Sequence, residues 1–156
     1  GCIGENYYEA ILKSMLSVGH RIPKKDILIS SGPTRSKVEL LNSTRMLIEK
    51  GYTIYSTAGT AKFFKENGID TQILYWPDED KEPNIMEYLH DRKIDLVINI
   101  PKNHTKRELD NGYKIRRAAV DYNIPLITNA RLASAFIYAI CKVDPAEIAI
   151  KSWDEY

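Results

Sequence analysis

Apolar residues along this chain fall into two alternating patterns. Over 8–18, Tyr8, Ile11, Leu12, Met15 and Leu16 recur at helical spacing, and the run stops at Gly19. "HRIPKK", containing Pro23, follows as a linker-like stretch. Short apolar runs then alternate with amphipathic ones. "DILIS" predicts a first strand. The next helix, over 37–50, carries Leu40, Leu41, Thr44, Leu47 and Ile48 on one face, with Gly51 as its stop. "YTIYS" predicts a second strand and 60–67 a helix closed by Gly68. "TQILYW" reads as a third strand and 84–92 as a short helix. "IDLVINI" is apolar at nearly every position, as a parallel strand buried on both faces should be. A helix over 111–122, a fifth strand "IPLIT" and a long helix over 130–142 complete the pattern.

Strands alternating with helices in this way predict an α/β domain. Its expected form is a doubly wound central parallel five-stranded sheet with helices on both faces. The pattern divides the chain into a helical tail and linker, 1–24, and the α/β domain, 25–156. Ligands of such sheets bind outside the carboxyl ends of the strands. That rule selects the loops at 30–37, 56–60, 76–83, 101–111 and 128–131.

Composition narrows the function classes. The chain has 156 residues, 44% hydrophobic and 28% charged, with a formal net charge of +1. So near-neutral a chain has no general attraction for nucleic acid or membrane surfaces. No apolar run approaches the roughly 20 residues of a membrane span. The opening "GCIGENYYEA" lacks the basic-then-apolar pattern of a secretory signal. Cys2 and Cys141 are the two cysteines, without metal-ligand spacing, and His20, His90 and His104 are scattered. A reduced, cytoplasmic chain with no metal site is expected.

The strand ends carry the candidate chemistry. In "IYSTAGTAKFF", Thr57 and Thr60 supply hydroxyls, and Gly59 lets backbone come close to a ligand. A helix N-terminus at this turn offers unpaired N–H groups to a phosphate or carboxylate. Alternatively, Thr57 simply caps the helix. "SSGPTRSK" adds Ser31 and Lys37 at the first strand end, where a cation opposes the helix macrodipole and suits an anionic partner. Asn99, ending the fourth strand, needs hydrogen-bond partners if buried, and Asn111 follows in the next segment. Trp76 could wall a pocket or belong to the core. Lys106 and Arg107 read as a solvated polar loop, and Asp78, Glu79, Asp80 and Glu82 as a solvated acidic one. There is no G-x-G-x-x-G, no P-loop and no G-x-S-x-G elbow, and no catalytic residue can be named.

"YSTAGTAKFFKENGI", "IDLVINIP" and "YKIRRAAVDYNIPLITN" together resemble the methylglyoxal-synthase-like domain. The likeness is to its version at the C-terminus of the carbamoyl-phosphate synthetase large chain, and it spans about 25–150. It implies the Rossmann-like methylglyoxal synthase fold and an allosteric role without catalysis. The segment 1–24 resembles the end of the preceding ATP-grasp unit. An effector phosphate would be held by Thr57, Gly59, Thr60 and Lys37, with Ser31 and Asn99 nearby. In the relatives that respond to N-acetylglutamate, the matching positions are Thr57, Thr60, Trp76, Asn99 and Asn111. One asparagine of that type is Lys102 here. The resemblance favours a pyrimidine nucleotide such as UMP, with N-acetylglutamate as the alternative. Implied partners are the synthetase domains of the same chain and a glutamine amidotransferase small subunit, and a homo-oligomer is left open. This domain would need no cofactor, whereas the parent enzyme would use ATP with Mg or Mn. Methylglyoxal synthase itself, a lyase acting on dihydroxyacetone phosphate, uses a Gly-Gly-Asp loop after the third strand. Here that loop reads "YWPDEDKE", without the glycines. A structural oligomerisation module is the remaining alternative.

Overall fold

The computed structural model describes residues 10–11, 13–15, 17, 22–101 and 105–142. Most of the 1–24 tail, Lys102 and the segment from 143 onward lie outside the described residues. The elements run β1 (Asp26–Ser31), α1 (Thr34–Glu49), β2 (Thr53–Ser56), α2 (Ala58–Glu66), β3 (Gln72–Ile73), α3 (Ile85–His90), β4 (Leu96–Ile100), α4 (Lys106–Asp121), β5 (Leu126–Ile127) and α5 (Ala130–Lys142). The strands form one five-stranded sheet in the order β3-β2-β1-β4-β5, and every pairing is parallel. Strand order therefore reverses between β1 and β4, where Ser30 lies opposite Asn99 and Ser31 opposite Ile100. Such a reversal opens a crevice at the carboxyl ends of the strands.

Successive strand side chains point to opposite faces, and the core divides accordingly. Ile27 and Ile29 of β1 and Leu96 and Ile98 of β4 pack with Leu40 and Leu47 of α1, Phe64 of α2 and Phe136 of α5. Leu28 and Val97 face the other way, onto Ile85 and Leu89 of α3 and Ile115 and Ala118 of α4. Every residue of β4 is buried, which is why its sequence is apolar without alternation. Met15, among the helical residues described at 10–17, joins the α1, α2 and α5 face.

Three helices begin earlier than apolar spacing predicts. α1 starts at Thr34 rather than 37, α2 at Ala58 rather than 60, and α4 at Lys106 rather than 111. The added residues carry no buried apolar side chain and so add nothing to the periodicity. β3 is shorter than "TQILYW". Only Gln72 and Ile73 pair with β2, both are exposed, and the chain then leaves the sheet edge through a bridge from Tyr75 to Asn84.

Candidate functional site

A cavity of about 350 Å³ opens at the reversal point. The α1–α2 layer contributes Lys37, Thr57, Gly59 and Thr60, and the strand ends contribute Ser31 and Asn99. From the other side come Trp76, in the loop after β3, and Asn111 on α4. All eight sequence-selected positions thus face one space. The loop at 128–131 does not line it.

The turn at 57–60 is not held by a cap. Thr57 occupies the N-cap position of α2, yet its side chain makes no capping hydrogen bond. Its hydroxyl bonds sideways instead, to Ser30 Oγ at 3.1 Å and to Thr60 Oγ1 at 3.4 Å. Thr60 Oγ1 accepts from the Ser31 N–H at 3.0 Å and donates to the Ser31 carbonyl at 3.2 Å. The physical reason lies in the sheet. β2 ends opposite Ile29, so β1 outruns it, and the Thr60 hydroxyl takes over as partner of the Ser31 backbone. One direction satisfies all these hydroxyls. Ser30 donates to Thr57, Thr57 to Thr60, and Thr60 to the Ser31 carbonyl.

The backbone, by contrast, is left open. The first N–H of α2 bonded back is that of Ala61, to Thr57 O at 2.8 Å, so those before it have no partner within the helix. α1 repeats the arrangement. Its N-cap is Pro33, no side chain caps it, and the first returning bond is Lys37 N–H to Pro33 O at 3.1 Å. Neither helix has an acidic residue in its first turn, whereas α4 is capped by Thr105 and has Glu108 there. Two helix N-termini, with Lys37 of the α1 first turn also lining the cavity, give this end of it a positive potential. A Cβ at Gly59 would meet nothing within 4 Å, so the space beside this turn is open.

The opposite wall corrects the sequence reading. Arg107 does not sit in a solvated loop; it lies in the first turn of α4. Its Nε donates to Asp78 Oδ2 at 2.6 Å and its Nη2 to both Asp78 Oδ1 and Glu79 Oε1, at 3.2 and 3.4 Å. The guanidinium also lies 5.2 Å from the Trp76 ring centroid, within reach of a cation–π contact. The acidic loop is therefore folded rather than free. Glu79 Oε2 accepts from the Trp76 N–H at 3.3 Å, and Asn84 Nδ2 donates to the carbonyls of Trp76 and Glu79 at 2.9 and 3.0 Å. The Arg107 hydrogen bond, foremost, holds the Asp78 carboxyl below the usual carboxylate range. A carboxylate so stabilised is a poorer proton acceptor.

The buried asparagines are committed to the wall. Asn111 accepts from the Asp78 N–H at 3.1 Å and donates to the Arg107 carbonyl at 3.0 Å, pinning the acidic loop to α4. Asn99 Oδ1 accepts from Arg116 at 2.8 Å. That guanidinium passes 2.8 Å from where a Cβ on Gly112 would sit, so a side chain there would make it shift. Arg107, Glu108, Arg116 and Glu79 all line the cavity, and the sequence reading had selected none of them. One signal was available: Thr105-x-x-Glu108 is a capping-box spacing, and it places the start of α4 correctly. The Arg107–Asp78 pair, 29 residues apart, has no local signal.

The cavity presents unpaired helix N–H groups and Lys37 at one end and polar and aromatic side chains at the other. Among the described residues no group of three or more His, Cys, Asp or Glu could hold a metal ion. No described helix is long and apolar enough to cross a membrane.

Comparison with known proteins gives the family. The MGS-like domain model matches residues 39–128. The multifunctional protein CAD of Squalus acanthias is 42% identical over 153 residues, covering 89% of this chain. The multifunctional protein ura1 of Schizosaccharomyces pombe is 43% identical over 148 residues, covering 90%. The mitochondrial carbamoyl-phosphate synthase [ammonia] of Homo sapiens is 38% identical over 146 residues, covering 90%. The chain spans only 7%, 7% and 10% of these relatives' lengths. The crystal structure of methylglyoxal synthase from Elizabethkingia anophelis superposes with a TM-score of 0.53 at 16% identity, over 74% of this chain and 79% of that one. With the parallel α/β sheet described above, these matches place the chain in the MGS-like domain family, in the form found within carbamoyl-phosphate synthases and their multifunctional relatives.

Proposed function

We propose that this domain is an allosteric effector-binding module of a carbamoyl-phosphate synthase, with the cavity between β1 and β4 as its effector site. The observation that carries the reading is the pair of uncapped, acid-free helix N-termini, α1 and α2, meeting beside Lys37. Backbone N–H groups and Lys37 bind the anionic group of the effector. Thr57 and Thr60 turn their hydroxyls toward it, and the Trp76 side of the cavity receives the rest of the molecule. A pyrimidine nucleotide such as UMP has both parts, a phosphate and a flat base. The relatives' names support the enzyme class. ATP-dependent ligation belongs to the synthetase units, and this domain biases it by differential affinity for two states of the enzyme, typically about 1–3 kcal/mol.

The same geometry counsels against lyase chemistry. Asp78, in the loop after β3, is committed to Arg107 and does not line the cavity. Calorimetric titration with UMP, UTP, IMP and N-acetylglutamate tests the reading. One of them should bind saturably, and dihydroxyacetone phosphate should not be turned over. Turnover abolished by Asp78→Asn would overturn the regulatory assignment.

A further inference from the structure

The cavity is bipolar, and its second pole contains an unsatisfied acceptor. Glu108 lies in the first turn of α4 and lines the cavity. In a complete capping box, Thr105 bonds the Glu108 N–H and the glutamate side chain returns to the backbone N–H of the cap. The first half is present, with Thr105 Oγ1 accepting from Glu108 N–H at 3.1 Å. Glu108 Oε2 is buried and has no hydrogen-bond partner among the described residues. A buried carboxylate oxygen without a donor costs free energy, and a donor is what such a site lacks. Arg107, the adjacent cation, is turned to Asp78, Glu79 and the Trp76 ring instead.

Oε2 is closed off as it stands, so a turn of the Glu108 side chain is needed to bring it to a ligand in the cavity, and position decides which part of that ligand it would meet. The cationic pole belongs to α1 and α2, packed on one face of the sheet, and α4 packs on the other. A ligand whose anionic group sits on α1 and α2 turns its neutral body toward α4 and Trp76. A carboxylate there repels a second negative charge and accepts from a hydroxyl. Carboxylate acceptance from ribose hydroxyls is the usual way nucleotide sites in open α/β sheets recognise the sugar.

We propose that Glu108 is a specificity residue that accepts a hydrogen bond from the ribose hydroxyls of the effector. The site thereby takes a ribonucleoside monophosphate and rejects acids bearing negative charge at both ends. This assignment rests on the nucleotide reading given above.

The test is calorimetric titration of the whole chain with UMP, 2′,3′-dideoxy-UMP and inorganic phosphate, for the unsubstituted protein, Glu108→Ala and Glu108→Gln. The unsubstituted chain should prefer UMP over the dideoxy compound by about ten- to hundredfold, the worth of one hydrogen bond to a charged group. Glu108→Ala should bind the two equally. Glu108→Gln keeps a neutral acceptor and the size of the side chain, and should retain part of the preference. Both variants should bind phosphate as well as the unsubstituted chain or better, because a negative charge has gone. Discrimination that survives in Glu108→Ala overturns the assignment and leaves the nucleotide reading standing, as does a lack of discrimination in the unsubstituted chain. If the unsubstituted chain binds neither UMP nor phosphate, both readings fall.

Discussion

Replacing Thr60 with valine separates two jobs that one hydroxyl performs. Valine has nearly the shape of threonine, so the packing of a side chain only 2% exposed is preserved. What disappears is the oxygen that accepts from Ser31 N–H and donates to Ser31 O. Ser31 is itself buried, at 4% exposure, and β2 has already ended beside it, so its N–H has no second strand to turn to. An orphaned buried donor costs about 1–3 kcal/mol. In a chain of this length 1 kcal/mol moves the melting temperature by about 2–4 °C, so Thr60→Val should melt about 2–12 °C lower. Thr60→Ser keeps the oxygen, loses one methyl worth about 0.8 kcal/mol, and should fall less.

Thermal unfolding by circular dichroism reads this term without any ligand. Effector binding reads the other. If the Thr60 hydroxyl turns from Ser31 O to a charged oxygen, Thr60→Val loses about 1.5–3 kcal/mol of affinity, measured well below the melting temperature. An unchanged melting temperature would refute the claim that Thr60 completes the β1 ladder. A lowered one with unchanged affinity would show that the hydroxyl serves only the fold.

Three further outcomes are expected. Lys37→Ala should weaken binding of the anionic effector and flatten its salt dependence, since it removes a charge lining the cavity; titration at two ionic strengths checks this, and an unchanged salt slope refutes it. Saturating effector should change tryptophan fluorescence, and Trp76→Phe should abolish the change, because Trp76 lines the cavity. Burial raises the ionisation of Tyr52 and Cys141 above the ordinary values of 10.0 and 9.0. Groups raised in the folded state leave stability intact below those values and erode it as pH climbs from there through the folded ones. Melting temperature should thus be level near neutral pH and fall in alkali, less steeply in Tyr52→Phe with Cys141→Ala; an unaltered slope in that double variant would refute the attribution.

How much was legible in the sequence follows from what each element needs. β4 could be read directly because both its faces are covered, and five consecutive buried residues leave no room for a polar one except Asn99. α5 could be read because seven buried residues hold its register. β3 could not, because an edge strand with both residues exposed carries no burial pattern, and its apolar neighbours Leu74 and Trp76 pack beyond the strand proper. The near side of the cavity was visible as well, since Thr57, Gly59, Thr60 and Lys37 follow their strands in one local motif each. The far wall was not. Arg107 looks like any surface cation until α4 brings it to Asp78 and Trp76, and a capping box read only as a helix signal says nothing about where its glutamate points.

The two walls are also the reason a ligand here could be felt elsewhere. α1 and α2 share one core cluster, α3 and α4 the other, and the sheet lies between them. At the carboxyl end of the sheet the layers meet across the cavity, and the far wall is stiffened by ties of its own. Asn111 fastens the acidic loop to α4, Arg107 clamps Asp78 and Glu79, and Arg116 reaches back to Asn99 on β4. A phosphate on α1 and α2 whose sugar is held by α4 spans that gap and favours one separation of the layers over others. Bound this way, it shifts an equilibrium by its difference in affinity between the two separations, however tightly it binds overall. An effector that touched only the α1 and α2 termini would occupy the site equally in both states and regulate nothing. The dideoxy nucleotide, offered to the complete enzyme at saturating concentration, approaches that case, because it lacks the hydroxyls assigned to α4. It should fill the site and compete with UMP, yet leave carbamoyl phosphate synthesis closer to the unliganded rate than UMP does.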